Sequence, residues 1–584
     1  KRHNLEPRII MDEDGTISSN EYVPIEFQGL DRFVARRKQV ELAKENNLLI
    51  KIEEITHSVG HSERTDCVVE PYLSKQWFVK MDHLSQNALN NQKTNNKVNF
   101  YPERTEKNFI NWMNDVHDWC ISRQLWWGHR IPAWYKDDDV YVGTSSPGKD
   151  WKQDEDVLDT WFSSALWPFS SLGWNDNSSD FNRYYPTSTL VTAGDIIFFW
   201  VSRMIFQGIE FTNTIPFKDV VIHGLIRDKN GRKMSKSLGN GIDPIVLIEK
   251  YGTDALRWYL TTSVTQGADL NFQEEKLEAS WNFINKIWNA SRYVGMQLGS
   301  DFKVGCIDIE KLTLTDKWIL NKFNQVLDEI NRNMDNYEFV VVGSVIYDFI
   351  WNDFCNWYLE FSKITLNSKE TSEVNNTKNV LHYMLINILK VIHPFVPFVS
   401  EEIYSTLTDN NYLALSIWPE YNKKYNFEDT DVTESIIDLI KKIRTLRLKN
   451  SISNNVSFPI IIKVNLINKD IFNYNISILQ YFMKSNDILI TDKYSCNEDV
   501  ITFSNKLAVM YIMSSDIIDK DEEKNRLEKE IEKVKFEIKR AKGMLSNEKF
   551  VSKAPQNKID NEKNKLKNYE SQLIELENSL DKLL

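Results

Sequence analysis

Cysteine is scarce and scattered. Cys67, Cys120, Cys306, Cys355 and Cys496 are the only five in 584 residues, and no two of them form a CxxC pair. That excludes a zinc ribbon and a disulfide framework and leaves reduced thiols as the expectation. Long apolar runs are also lacking: none could span a bilayer, and no signal-peptide pattern opens the sequence, so no membrane contact is expected. There is no excess of positive charge. Lys and Arg number 71 against 83 Asp and Glu, for a net charge of −12. Any contact with nucleic acid must therefore come from local basic surface, because binding responds to local potential. The first residue is Lys1 rather than Met, in what reads as mid-domain sequence, and the expectation is a piece of a longer chain.

What is present points to several domains. Residues 1–75 mix short apolar runs with one helix over 31–49. From about 100 to 275 the texture turns to dense Trp, Phe and Ile punctuated by Gly and Pro. Short strands over 189–191 and 220–223 alternate there with helices over 195–207 and 244–251, which predicts a parallel α/β sheet. Gly252 stands where a helix C-cap is expected, and Asp254 is expected to cap a following helix over 255–260. From 276 to 445 the pattern is helical. Trp281, Ile284 and Trp288 share one face, and Ile319, Phe323, Val326 and Ile330 share another. The run His393-Pro394-Phe395-Val396-Pro397 interrupts it, and Ser400 is expected to restart a helix. Residues 446–517 read as a small α/β unit with strands over 458–466, 487–490 and 507–513.

The last segment, 518–584, has the cleanest period. Leu527, Ile531, Val534, Ile538, Ala541 and Leu545 alternate spacings of four and three, and Leu566, Tyr569, Leu573, Leu576, Leu580 and Leu583 do the same. Two such runs joined by a Pro-containing turn predict an antiparallel coiled-coil hairpin.

The chemistry is concentrated in Gly231-Arg232-Lys233-Met234-Ser235-Lys236-Ser237-Leu238-Gly239-Asn240. Lys233 and Lys236 are two point charges that can converge on a triphosphate. Ser235 and Ser237 add hydroxyl donors, and the flanking glycines let backbone approach phosphate closely. Such a loop stabilises charge that develops as pyrophosphate leaves. Most Lys- and Ser-rich decamers are solvated turns, but the pentad KMSKS is similar to the phosphate-handling loop of class I aminoacyl-tRNA synthetases.

The surrounding words carry the resemblance further. Trp119-Cys120-Ile121-Ser122-Arg123-Gln124-Leu125-Trp126-Trp127-Gly128-His129, Asp156-Val157-Leu158-Asp159-Thr160-Trp161-Phe162-Ser163-Ser164, Asp195-Ile196-Ile197-Phe198-Phe199-Trp200 and His223-Gly224-Leu225-Ile226-Arg227-Asp228 follow one another in the order of bacterial-type valyl-tRNA synthetases. Trp357-Tyr358-Leu359-Glu360 and His393-Pro394-Phe395 resemble that family's anticodon-binding domain. Phe550-Val551-Ser552-Lys553-Ala554-Pro555 resembles the turn of its C-terminal coiled coil.

The fold this implies is the second half of an α/β Rossmann-type nucleotide-binding fold, an all-α anticodon-binding bundle, a small α/β unit and a C-terminal antiparallel coiled-coil hairpin. The segments are 1–75 as the C-terminal remnant of an editing insert, 76–247 as the Rossmann half, 248–275 as a junction, 276–445 as the anticodon bundle, 446–517 as the linking unit and 518–584 as a tRNA-binding arm.

Site residues follow from the resemblance. The family's side-chain box maps onto Trp161, Ile196 and Trp200. Residues of this kind are ordinarily core, whereas the resemblance implies a dry slot for an isopropyl group that excludes isoleucine by overpacking. Gly194 and Asp195 stand where the family binds the ATP ribose, although Ala193 departs from its usual Gly, and helix capping is the other reading of Asp195. His223 and Gly224 would face adenine or ribose. Lys233 and Lys236 are the catalytic candidates, with Ser235 and Ser237 as further ATP contacts. His57-Ser58-Val59-Gly60-His61 has one residue too many for the family's H-x-G-H element, which is expected upstream of Lys1.

The implied activity is ligation of valine to tRNA(Val) with Mg-ATP as substrate, without a metal site or tightly bound cofactor, by a cytoplasmic monomer. A hydrophobic pocket rejects an added hydroxyl weakly; this family is itself the standard illustration, valine being favoured over threonine by about a hundredfold. Hence the editing of threonyl-tRNA that the family's insert performs. Two alternatives stand beside this. An isoleucyl-tRNA synthetase is disfavoured by Trp161 with Trp200, by the His223–Asp228 spelling, and by a terminal hairpin without a cysteine module. A non-catalytic tRNA-binding fragment is the other.

Overall fold

The computed structural model describes residues 3, 5–62, 65–176, 178–235, 238–408, 411–495, 500–514, 520–546 and 556–583, and divides into two units, Lys1–Val221 and Ile222–Leu584. In the first unit, Asp31 caps a helix Arg32–Glu45 by accepting from the N–H groups of Phe33 and Val34 at 2.8 and 3.3 Å. The helix ends four residues before the expected 49, because Asn46 caps it and Asn47 turns the chain with a φ of 56°. Its Ala35 packs on Val23 and Phe27 in a small core of its own. His57 and His61 lie exposed on an irregular stretch. The His61 ring Nδ1 is 2.8 Å from the carbonyl of Asp66, a local turn contact.

The sheet of the first unit has three strands in the order Asn99–Tyr101, Phe217–His223, Thr187–Ala193, and the first two run parallel with Val220 opposite Phe100. Val220, Val221 and Ile222 are all buried, as a β-branched run covered on both faces should be. The crossover includes the helix Arg104–Asp115, whose Phe109 stacks on Phe100 at 5.3 Å. Around this sheet lie short antiparallel ladders that the sequence did not announce: Phe78–Val79 with Trp119–Cys120, Ser122–Arg123 with Val157–Leu158, and Ala133–Lys136 between Asp139–Val142 and Lys152–Gln153. Strands of two to four residues are too short to show a period.

In the second unit the helix Pro244–Tyr251 matches expectation, with Pro244 at its first position and Asp243 accepting from the Ile245 N–H at 2.9 Å. Gly252 follows with a φ of 83°. Asp254 does not cap the next helix, which begins one residue earlier at Thr253. Its carboxylate instead accepts from the backbone N–H groups of Phe398 and Val399 at 3.2 and 2.7 Å, satisfying the first turn of the helix Pro397–Leu407. That helix starts three residues before Ser400, on Pro397; Ser400 donates back to the Val396 carbonyl and meets His393 Nδ1 at 2.8 Å.

The helical part comprises Glu274–Leu298, Leu314–Asp335, Phe339–Asp348 running on through Phe349–Tyr358 and Leu359–Leu366, Thr371–Ile392, Pro397–Leu407 and Thr430–Lys449. Ile319, Phe323, Val326 and Ile330 are buried, as their spacing predicts. On the helix before them Trp281 and Trp288 are 42 % and 40 % exposed; the buried stripe there runs through Leu277, Phe283, Ile284, Ile287 and Val294. Asp316 is wholly enclosed. It accepts from Tyr358 Oη at 2.6 Å, Thr377 Oγ1 at 2.8 Å and the Thr313 N–H, linking three helices, and burial pushes its carboxyl up.

A four-stranded sheet follows in the order Ile488–Thr491, Ile460–Val464, Ala508–Met513, Val500–Ser504, with the first pair parallel and the others antiparallel. Its helices are Leu466–Tyr474 and Ile476–Met483. The fourth strand goes beyond the three expected.

The chain ends in two long helices, Lys520–Leu545 and Gln556–Leu583. Lys535 pairs with Glu577 and Lys542 with Glu570, both at 2.8 Å, so the two helices run in opposite directions. Ile531, Val534, Ile538 and Ala541 are buried between them with Ile559. The expected turn over 550–555, the side chain of Leu527 and Cys496 lie outside the described residues. Among the described residues no helix is long and apolar enough to cross a membrane.

Candidate functional site

The expected helix over 195–207 is built from three kinds of turn. Gly194–Ile196 is a tight turn at the end of the strand Thr187–Ala193, Ile197–Val201 is a wide turn with i→i+5 bonding, and only Ser202–Thr212 is regular α-helix. Wide turns of this kind commonly mark functional sites. Ile196 and Trp200 therefore do not share a regular helix face. Gly194 and Asp195 are exposed, and Asp195 makes no capping bond, which leaves its carboxylate available as an acceptor.

Trp161 lies in the helix Thr160–Ser164, whose N-cap Asp159 accepts from the Trp161 N–H. Its indole stacks on Phe199 with centroids 5.8 Å apart. Trp200 donates from Nε1 to the Ser164 carbonyl at 3.0 Å, and its ring is 6.5 Å from that of Trp167. Both indoles are half-buried between the helix 160–164 and the wide turn, and Ile196, also half-buried, opens that turn.

Behind this arrangement lies a charged network that the sequence reading missed. Asp159 is buried; it accepts from Trp119 Nε1 at 3.0 Å and pairs with Arg123 at 3.1 Å. Arg203 is buried as well, its guanidinium 4.2 Å from the centroid of the Trp119 ring, and it donates to the Phe198 carbonyl within the wide turn. Burial pushes its pKa down to about 10, with Asp159 pulling the other way, and among the described residues its Nε has no partner. A cavity of about 430 Å³ opens beside it, lined by Trp112, Trp119, Arg123, Arg203 and Phe206 among others but by none of the three box residues. An available signal was one Arg inside the run 196–206, which is apolar but for Arg203 and Ser202, since a charge there must be buried and needs partners.

In the second unit His223 is exposed, with its Nδ1 2.9 Å from the Gly224 carbonyl oxygen. Gly224 has a local reason to be glycine: a Cβ there would stand 1.9 Å from the Ala268 carbonyl oxygen. Next, Asp269 receives the Leu225 N–H at 2.8 Å and the Arg227 guanidinium, and these bonds, the backbone one first, hold its carboxyl low.

The loop 231–240 is fastened at both ends by Asp228. This buried carboxylate accepts from Asn240 Nδ2 at 3.0 Å, from the N–H groups of Asn230 and Arg232 at 2.9 Å and from Arg232 Nε at 2.8 Å. The Asn240 bond and the others hold its pKa far below the usual range. Asn240 also accepts from the Ser235 N–H at 2.9 Å and donates to the Lys233 carbonyl at 3.2 Å. Gly231 and Gly239 have φ values of 77° and 59°, which an L side chain resists. Lys233 is exposed on a bridge to Arg227. Lys236 and Ser237 lie outside the described residues.

Three family matches cover this architecture. Residues 38–151 and 142–273 match the class I tRNA synthetases (I, L, M and V), 316–462 the anticodon-binding domain of tRNA ligases, and 519–584 the valyl-tRNA synthetase tRNA-binding arm. Over 97 % of its length the chain is 48 % identical to the valine–tRNA ligase of Listeria monocytogenes, covering 65 % of that protein. Over its whole length it is 46 % identical to that of Staphylococcus carnosus, covering 67 %. The chain belongs to the valine–tRNA ligase family. It spans about two thirds of the length of the curated family members it matches. Among solved structures, the methionyl-tRNA synthetase of Mycobacterium tuberculosis in complex with methionyl-adenylate aligns over 60 % of this chain and 66 % of its own at 18 % identity, with a TM-score of 0.48. For a valine–tRNA ligase family member, the Asp228–Asn240 clasp and the Asp159–Arg203 network are the two structural supports that lie beneath the residues singled out by sequence.

Proposed function

We propose that the protein is a valine–tRNA ligase, which activates valine with Mg-ATP and transfers it to tRNA(Val). The observation that carries this reading is identity of 46–48 % to valine–tRNA ligases over 97 % or more of the chain. In the first step the valine carboxylate attacks the α-phosphate of ATP, giving valyl-adenylate and pyrophosphate. Lys233 and Lys236 meet the charge growing on the departing phosphates, and Ser235 and Ser237 add donors. The clasp of Asp228 on Asn240 supports this role because a loop held in place needs little reorganisation as the charge develops. Asp195, next to Gly194, accepts from ribose hydroxyls, and His223 offers Nε2 beside Gly224. Trp161, Ile196 and Trp200 enclose the isopropyl group. The acyl group then passes to the 2′-hydroxyl of the terminal adenosine, with positioning as the main source of rate.

The bundle 276–445 reads the anticodon, where unstacked bases can be contacted on their edges. The antiparallel coiled coil over 518–584 holds the tRNA through phosphate contacts. Segment 1–75 is scaffold for editing of threonyl-tRNA. The cytosol, as a monomer, is the proposed setting. The test is valine-dependent ATP–pyrophosphate exchange and charging of tRNA(Val) transcript by the full-length protein. Exchange with isoleucine exceeding that with valine would refute the specificity, and absence of exchange with either would refute the activity.

A further inference from the structure

A cavity of about 800 Å³ opens where the helices Thr430–Lys449 and Ile476–Met483 meet the turns at 451–454 and 484. Its chemistry is one-sided. Arg444, Arg447 and Lys484 bring positive charge, Tyr481 and Phe482 bring rings, Ser453 brings a hydroxyl, and among the described residues no carboxylate lines it. Arg447 is the innermost cation, 5 % exposed. Its terminal nitrogens donate to the carbonyls of Ser453, Val456, Met483 and Lys484 at 2.9–3.1 Å, and its guanidinium sits 4.5 Å from the centroid of Phe458. Among the described residues its Nε has no partner and no carboxylate pairs with it. A buried cation met by carbonyl dipoles and a ring face, but by no carboxylate among the described residues, keeps a positive field that favours an anion nearby.

The mouth repeats the theme. Arg444 is exposed, 5.2 Å over Trp357 and 5.6 Å over Phe482. The carboxylate that draws on it, Glu360, is already paired with Lys363 at 2.6 Å. Lys484 Nζ lies 4.5 Å over the ring of Tyr481, a residue that is 47 % exposed. A bare anion would use the cations and leave the open ring idle. A nucleotide uses both, since aromatic platforms flanked by cations are how unpaired bases and their phosphates are held. The cavity volume also suits a nucleotide. In a molecule of net charge −12 such a local basic concavity is where a polyanion is drawn.

We propose that this cavity holds one unpaired nucleotide of a bound RNA strand, with its phosphate between Arg444 and Lys484 and its base on Tyr481. The RNA source rests on the tRNA-ligase reading above; the nucleotide chemistry rests on the cavity itself.

The test uses the full-length protein and Tyr481→Ala, Tyr481→Phe, Arg444→Gln and Lys484→Asn. Asn is chosen because residue 484 has a φ of 56°, which Asn tolerates. Arg447 is left alone because it ties two turns together. Affinity for tRNA(Val) transcript is measured across a salt series, and affinity for adenosine monophosphate by calorimetry. Expected are a loss of about fivefold to a hundredfold for Tyr481→Ala, retention by Tyr481→Phe, and a slope of log K against log salt flatter by about 0.7 for each lost cation. Variants that match the parent in both affinities and in slope overturn the proposal. Loss of monophosphate binding with tRNA affinity unchanged overturns the RNA source in favour of a free nucleotide. A parent protein that binds no tRNA refutes the ligase reading, and the RNA source with it, while the monophosphate measurement still judges the cavity.

Discussion

Replacing Trp200 by Ala probes the amino-acid pocket most directly. The indole makes two kinds of interaction, the Nε1 bond to the Ser164 carbonyl at 3.0 Å and packing toward Trp167. Loss of the bond costs about 1 kcal/mol. Truncation of a fully buried Trp costs about 3–5 kcal/mol, and because Trp200 is only half-buried the total loss of stability should be about 2 kcal/mol. The effect on specificity is separate. If the ring walls the slot against the extra methylene of isoleucine, that wall is responsible for about 1–3 kcal/mol of discrimination. Its removal should raise the isoleucine-to-valine ratio of kcat/KM by roughly tenfold to a hundredfold. Trp200→Phe keeps most of the wall but loses the donor, so it should be destabilised by about 1 kcal/mol with the ratio nearly unchanged. The assay is pyrophosphate exchange with each amino acid on the full-length protein, with thermal melts alongside. If both variants lower the two kcat/KM values by the same factor, Trp200 is a core residue and the pocket assignment falls.

Other outcomes follow from the loop and the helical bundle. Lys236→Ala should lower kcat for valine-dependent exchange by roughly 10²–10³, as expected for one lost preorganised donor, and an unchanged kcat would remove Lys236 from the reaction. Asp228→Ala frees both ends of the loop and should cut kcat/KM for ATP by about a hundredfold while KM for valine holds; equal losses for both substrates would show general misfolding instead. Asp353 is pushed up to about 6, chiefly by burial, with Lys322 pulling it down and Glu434 pushing it up. A carboxyl whose folded pKa lies above its unfolded value favours folding when protonated, so its contribution is full below about pH 4 and is lost as pH rises through 6. Asp353→Asn should therefore stabilise the protein at pH 7.5 by about 1–2 kcal/mol, below the roughly 3 kcal/mol that the full shift would allow because water screens the group, and the gain should vanish near pH 3.5 in denaturant titrations.

Helices with a long apolar period were readable from sequence because the period is itself the folding force. Ile319, Phe323, Val326 and Ile330 are an example, and all four are buried. Pro244 and Gly252 fixed the ends of their helix through backbone restrictions that need no tertiary information. Errors arose where a polar side chain had a choice of backbone partners. Asp254 could serve its own helix or a distant one, and it serves the N–H groups of Phe398 and Val399, 144 and 145 residues further on. No local rule can rank those options, because the winner is decided by which helix start would otherwise be buried without acceptors.

The same logic separates the visible part of the candidate site from the hidden part. Residues proposed to meet a small molecule form short words such as Lys233 to Ser237, since a loop must present several groups to one ligand. Residues that hold such a loop are chosen by reach, as Asp228 and Asn240 are across twelve positions, or by enclosure, as Asp159 and Arg203 are around Trp119. The wide turn 197–201 belongs to this second kind. An i→i+5 turn leaves backbone groups displaced from the regular ladder, and here Ser202 donates to the Ile197 carbonyl at 2.9 Å and Arg203 to that of Phe198. The distortion that re-aims Trp200 is thus stabilised by the two residues that follow it. Arg203→Met would keep the volume and lose that bond, so the register of the wide turn, and with it the Phe199–Trp161 stack, should loosen before the α-helix Ser202–Thr212 does. Hydrogen exchange at 197–201 against 205–212 measures this order, and equal protection in parent and variant would show that the turn holds without the guanidinium.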